Sequence, residues 1–220
     1  MKTKKREKKA LLRTPVEHID IKQIDSSAFV GSMAKMSFTS REIAKAAEMY
    51  AKMVKDNSCV NILTLAGSTS AAGCMQAYID LVRSKMIDVV VATGASIVDM
   101  DFFEALGFQH YQGSQFVDDK MLRSLYVDRI YDTFIDEEDL QKCDKAIEEI
   151  ANSLDPRPYS SQEFIKEMGR YLKTHSKKED SLVLACYEMG VPIFCPAFSD
   201  SSAGFGVVVL ILDVADGRGR

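Results

Sequence analysis

Residues 60–66, VNILTLA, run straight into Gly67-Ser-Thr-Ser-Ala-Ala-Gly73, and residues 87–92, IDVVVA, run into Thr93-Gly-Ala-Ser-Ile-Val-Asp-Met-Asp101. Each apolar run is short, rich in β-branched or aliphatic residues and closed by a glycine-bearing turn, as a buried strand would be. Between them, Met75, Ile79 and Val82 recur on one side of a segment from Thr69 to Met86, which predicts a helix. A further helix is predicted from Ile97 to Leu106. Strand, turn and helix in repetition is the order of a parallel sheet, because parallel neighbours need a crossover between them. The expected class is α/β: a doubly wound, mostly parallel, Rossmann-like sheet with helices on both faces.

Outward from this unit the pattern continues. Residues 107–132 are less regular. Asp136 opens a helix in which Leu140, Cys143, Ile147, Ile150 and Leu154 recur at three- and four-residue spacing, stopped by Asp155-Pro-Arg-Pro158. Ser160 and Glu163 have capping-box spacing before Phe164, Met168 and Leu172. A helix over 181–189 ends at Gly190, a strand VPIFC follows at 191–195, then the loop PAFSDSSAGFG at 196–206 and a last apolar strand from Val207 to Val214. Towards the N-terminus, Thr39 and Glu42 have capping-box spacing before Ile43, Ala47, Tyr50 and Val54, and a short helix is predicted over 26–36. Residues 1–25 read as a basic lead-in, a solvated tail or a phosphate- or partner-binding arm, and 26–220 as a single domain.

The 220 residues are 46% hydrophobic and 27% charged, with a net charge of −4, which argues against a general nucleic-acid or membrane-surface role. No apolar run could span a bilayer, and the basic start lacks the apolar stretch of a secretory signal. The five cysteines (Cys59, Cys74, Cys143, Cys186 and Cys195) show no CxxC spacing, as expected of reduced thiols in a cytoplasmic protein. His18, His110 and His175 lie far apart, so no metal-ligand spacing is present.

Three loops could carry chemistry. Gly67, Ser68, Thr69, Ser70 and Ala71 sit where a strand becomes a helix, where free backbone N–H groups and hydroxyls suit a phosphate; a tight turn of small residues explains them equally well. Thr93, Gly94 and Ala95 follow the next strand. Asp99 and Asp101 beyond them could hold a ribose hydroxyl or an amine, or cap a helix. In the third loop, Asp200 is an acceptor for ribose or ammonium groups, or part of a solvated turn. All three loops follow strands, and open α/β sheets bind ligands at the carboxyl ends of their strands. The acidic run at 136–139 reads as a helix N-terminus matched to the helix dipole.

Five stretches, TLAGSTSAAG, MIDVVVATGASIVDMDFFEALG, RIYDTFIDEEDL, IANSLDPRPYSSQEFIKEMGRYL and GVPIFCPAFSDSSAGFG, resemble the bacterial branch of deoxyhypusine synthases over roughly residues 10–206. The resemblance implies an NAD-dependent transfer of an aminobutyl group from spermidine, or from putrescine in related enzymes, to an acceptor amine whose identity it leaves open. It implies a homo-oligomer, a dimer or tetramer, with active sites between subunits. It places Gly67 to Ala71, Thr93 to Ala95 and Asp200 against NAD, and Asp99 and Asp101, after a one-residue shift, in the stretch facing NAD and polyamine. Phe205 stands where the eukaryotic pattern has an acidic polyamine contact. No lysine follows Lys178, so the family's imine-forming lysine is expected to have no counterpart here, and the shortened chain to be inactive or a non-catalytic dinucleotide-binding or assembly protein.

Overall fold

The computed structural model describes residues 2–18, 20–23 and 25–204; Phe205 and the strand expected from Val207 to Val214 lie outside them. In chain order, helix α1 (Lys2–Leu11) and a 3-10 turn (Ile21–Gln23) precede α2 (Ser27–Met33) and α3 (Phe38–Lys55). Strand β1 (Ile62–Leu65) leads through a wide π-type turn (Ser70–Cys74) into α4 (Met75–Arg83). Strand β2 (Val89–Ala92) leads through a π-helical segment (Ala95–Phe102) into α5 (Phe103–Ala105). Then come β3 (His110–Gln112), α6 (Asp119–Ser124), β4 (Val127–Ile130), β5 (Thr133–Asp136), α7 (Glu137–Ser153), α8 (Ser161–His175), α9 (Leu182–Met189) and β6 (Ile193–Phe194).

The two apolar runs of the opening motif pair as expected. β1 and β2 are parallel neighbours, with Ile62 opposite Val89 and Leu65 opposite Ala92, and β6 joins β2 in parallel through Val90 and Ile193. Burying Val90 and Ala92 against Ile79 and Val82 of α4, Phe102 and Phe103, Ile147 of α7, Met168 and Leu172 of α8 and Leu182 of α9 makes the main core. Apolar area removed from water is the dominant stabilising contribution there. The helix signals hold where the side chains can reach the backbone. Ser160 and Glu163 form a reciprocal capping box, with Ser160 N donating to Glu163 Oε2 at 2.8 Å and Glu163 N to Ser160 Oγ at 3.2 Å. Asp136 accepts from Glu138 N at 2.9 Å, and Gly190 ends α9 in the left-handed conformation at φ 71°.

Elsewhere the expectations need correction. Among the described residues the parallel sheet has three strands, in the order β1-β2-β6, within a mixed α/β architecture. The stretch read as irregular forms a second, antiparallel sheet in the order β3-β5-β4, with His110 opposite Ile135 and Ile130 opposite Thr133. Its strands are three or four residues long, and its β4–β5 turn uses Tyr131 at φ 55° with no glycine, so the usual hairpin signal is missing. The helix expected from Thr69 is broken at Gly73, whose φ of 91° cannot belong to a helix, and α4 starts only at Met75.

The basic lead-in departs from a solvated tail, for it folds as α1. Lys8 pairs with Asp136 at 2.9 Å and with Glu138 at 2.6 Å, while Leu11 and Leu12 pack on Leu122, Leu125, Val127 and Phe134 in a second small core. Finally, α3 starts at Phe38 after Ser37, so Thr39 and Glu42 lie inside the helix, and of its residues only Ala44 is buried. Ile43 and Ala47 face outward, and Tyr50, half-buried, donates its hydroxyl to Met86 O at 2.9 Å.

Candidate functional site

Parallel pairing decides where the three loops go. Because β1, β2 and β6 run the same way, the loops after them leave the sheet at one edge. Hydrogen bonds then stitch them together. Thr93 N donates to Leu65 O at 3.3 Å, and Ser96 Oγ donates to Gly67 O at 2.8 Å. Gly94 lies under the third loop, where a Cβ would come within 2.6 Å of Ser201 Cβ and Oγ and 3.1 Å of Phe198 O. Glycine is therefore what allows the second and third loops to touch. Ser202 N donates to Asp99 Oδ1 at 3.0 Å, which ties the third loop to the segment after β2.

The predicted residues divide along this rim. Gly67, Thr69, Thr93 and Asp200 are exposed, Ser68, Ala95 and Asp99 are half-buried, and Ser70, Ala71 and Gly94 are buried. Gly67 turns with φ 65°, a conformation that costs glycine little. The turn from Ser68 is a single helical turn, with Ala72 N bonded to Ser68 O at 3.0 Å, so the amides just before Ala72 are those that a helix start leaves without intrahelical partners. Ser70 Oγ is buried and has no hydrogen-bond partner among the described residues.

Asp99 and Asp200 meet in one open cleft of about 510 Å³. It lies between the third loop, the π-helical segment, β4, β5 and α7, with Ile130, Ile135 and Leu140 as its apolar wall. Asp128 on β4 is a further member that the sequence pattern did not single out, since its strand was not recognised. Asp144 on α7 lies close by, within electrostatic reach of Asp99. Burial pushes the Asp99 carboxyl up against the opposing hydrogen bond from Ser202 N. Burial followed by the charge of Glu137 raises Asp128, and burial likewise raises Asp144, with Asp99 adding to it. Carboxyls crowded in this way gain most from a cation that neutralises them together.

Asp101, expected to share this role with Asp99, is placed elsewhere. It is 1% exposed and caps α9: Ser181 Oγ donates to Oδ2 at 2.8 Å, Leu182 N to Oδ1 at 2.7 Å and Val183 N to Oδ2 at 2.8 Å. Burial pushes its carboxyl up to about 6 against those three donors. Residues two apart on a helix point to opposite sides, so only one of the two aspartates can face the cleft. That spacing was a readable signal.

A family model described as deoxyhypusine synthase matches residues 28–216. The chain is 63% identical over 203 residues to a deoxyhypusine synthase-like protein of Coxiella burnetii, covering 92% of this chain and 58% of that one. It is 60% identical to a protein of the same name from Caulobacter vibrioides, covering 92% and 55%. It is 36% identical to the "Probable deoxyhypusine synthase 2" of Methanosarcina mazei, covering 89% and 56%. The chain thus spans somewhat more than half the length of these curated relatives. A crystal structure from Entamoeba histolytica that carries the deoxyhypusine synthase name superposes with a TM-score of 0.61 at 17% identity, over 90% of this chain and 67% of that one, a likeness of fold.

Proposed function

This chain belongs to the deoxyhypusine synthase family, and from that premise we propose that it forms the NAD- and polyamine-binding part of a cytoplasmic aminobutyl transferase. The observation that carries the reading is the meeting of the loops after β1, β2 and β6 at one sheet edge, joined by the Ser96–Gly67 hydrogen bond and the Gly94–Ser201 contact. NAD fits the groups present. The turn at 67–71 offers backbone amides and the unpartnered Ser70 hydroxyl to a phosphate, the backbone at Thr93 to Ala95 permits close approach, and exposed Asp200 can accept from a ribose hydroxyl. When bound, NAD supplies the acceptor for hydride from the amine-bearing carbon.

The polyamine, spermidine or putrescine, is assigned to the acidic cleft. Asp99 and Asp128 hold its ammonium groups, and the wall of Ile130, Ile135 and Leu140 takes the methylene chain between them. Asp101 leaves the substrate set. The cleft's polar groups are acids and serines, which bind and orient an amine. Binding without turnover by this chain alone is therefore the second reading. A homo-oligomer, dimer or tetramer, suits the apolar surface left by α2, α3 and β1, where Phe38 is 90% exposed and Phe29, Met49 and Ile62 more than half so.

Titration calorimetry with NAD, followed by spermidine on the NAD-loaded protein, tests the assignment. Saturable NAD binding that Asp200→Ala weakens is the expected outcome; a folded chain with no NAD binding overturns it. NADH absorbance on adding spermidine separates turnover from binding alone.

A further inference from the structure

A second ionisable cluster lies away from the cleft, beneath the N-terminal segment. Glu104 of α5 is held between two histidines: His18 Nε2 lies 2.7 Å from Oε2 and His110 Nδ1 lies 2.8 Å from Oε1. Lys178, in the connection before α9, comes within 3.6 Å of the same carboxylate. His110 is buried and edge-on to Phe103, with ring centroids 5.2 Å apart.

His18 ends a strap that pairs antiparallel with β3, an edge of the antiparallel sheet. Val16 N donates to His110 O at 2.8 Å, Gln112 N donates to Thr14 O at 2.6 Å, and Pro15 bridges Tyr111. The far end of this strap bears on the first rim loop. A Cβ at Gly73 would lie 2.8 Å from Glu17 O and 3.9 Å from His18 Cα, so strap and loop are in backbone contact there. Beyond His18, Lys22 pairs with Asp80 of α4 at 2.9 Å, which fixes the chain on the helix that follows the loop.

We propose that His18 is a positioning residue: its ion pair with Glu104 clamps the 14–18 strap onto Gly73, holds the rim loop 67–74 in place, and loosens when His18 loses its proton. The charged groups acting on the ring are Glu104 from α5 and Lys178 from the segment before α9; His110 from β3 holds the other Glu104 oxygen, and Glu17 precedes His18 on the strap. The Glu104 hydrogen bond, ahead of the opposing burial, raises His18 above its ordinary value. Burial of Glu104 works against its charge, but the hydrogen bonds from His110 and His18 outweigh it and hold that carboxyl at about 2. A raised histidine contributes fully below its unfolded value, near 6.5, and loses that contribution as pH rises through the folded one. The clamp is therefore tight below the unfolded value and weakens as pH rises through the raised one. A neutral ring can still donate from Nε2, so weakening, not detachment, is the outcome.

Amide hydrogen exchange on the full chain tests this without any cofactor, so its result is separate from the nucleotide reading. Val16 and Gln112 report the strap, Ala72 and Cys74 the loop, and Leu122 in the second core serves as control. After correction for intrinsic exchange, protection at the four reporters should fall across the His18 titration while Leu122 is unchanged, because the clamped state holds the His18 proton more tightly than the open one. In His18→Gln the four amides should exchange with no excess pH dependence. Flat protection in the wild type, or an unchanged pH profile in the variant, overturns the proposal. Should the variant not fold, the wild-type His18 ring titration followed by NMR decides the matter: a midpoint matching that of the exchange transition supports the clamp, and a midpoint apart from it sinks the idea.

Discussion

The parallel sheet ends in three glycine-bearing loops that leave an open rim, whereas the antiparallel sheet turns back on itself and packs Leu11 and Leu12, at the end of α1, into its small core. Strand direction makes the difference. Parallel strands deliver all their loops to one edge, with the return paths on the opposite side, so loops accumulate where a ligand can sit. Antiparallel strands return at once, and their short turns serve closure. Here that second sheet also supplies Asp128 and Ile135 to the cleft wall, so the closed region frames the open one. The same contrast recurs within ten residues of chain. Asp99 reaches the cleft and Asp101 is sealed under α9, so one carboxylate is available to a ligand and the other is consumed by the fold.

Four substitutions sharpen or break this contrast. Phe134→Ala empties the centre of the second core and is expected to cost about 3–5 kcal/mol in a denaturant titration. A loss below roughly 1 kcal/mol would mean that α1 and the antiparallel sheet do not pack as one unit. Asp101→Ala leaves the amides of Leu182 and Val183 without an acceptor in the interior, at about 2–4 kcal/mol, with little change in spermidine affinity per folded molecule. Asp99→Asn should do the reverse. Stability hardly moves, because Ser202 N keeps an oxygen acceptor, while spermidine binding by calorimetry weakens roughly tenfold through loss of a charge-assisted contact. Since burial raises the wild-type Asp99 carboxyl, spermidine affinity should also decline as pH falls through that raised value, and the variant should lack this decline. If both substitutions lowered stability alike, the division of labour between the two aspartates would be wrong. Arg129→Ala breaks a pair in which Asp119 is largely exposed, and should cost under about 0.5 kcal/mol.

Much of the rim was legible in the chain. The runs at 60–66 and 87–92 are short, mostly apolar and closed by glycine-bearing turns, so their pairing and the position of the loops after them followed from pattern. So did the Ser160–Glu163 capping box, because a cap depends on side chains three residues apart. Gly73 was visible as a glycine, but its break in the helix was not, because the φ of 91° answers to Glu17, distant in sequence and pressed against it. The hairpin at 127–136 gave no signal, because Tyr131 takes the left-handed turn position that glycine or asparagine would advertise.

Local periodicity by itself determined that this chain builds parallel strands with small-residue loops, because repeats of side chains along a strand or helix need no knowledge of distant partners. Tertiary structure alone decided that Asp128 joins Asp99 and Asp200, that Asp101 caps α9, and that His18 and His110 share Glu104. Apart from His110 and Glu104, six positions apart, those are meetings of residues tens of positions apart, set by which backbone faces are left to pack once the strands have paired, and no short-range pattern encodes them.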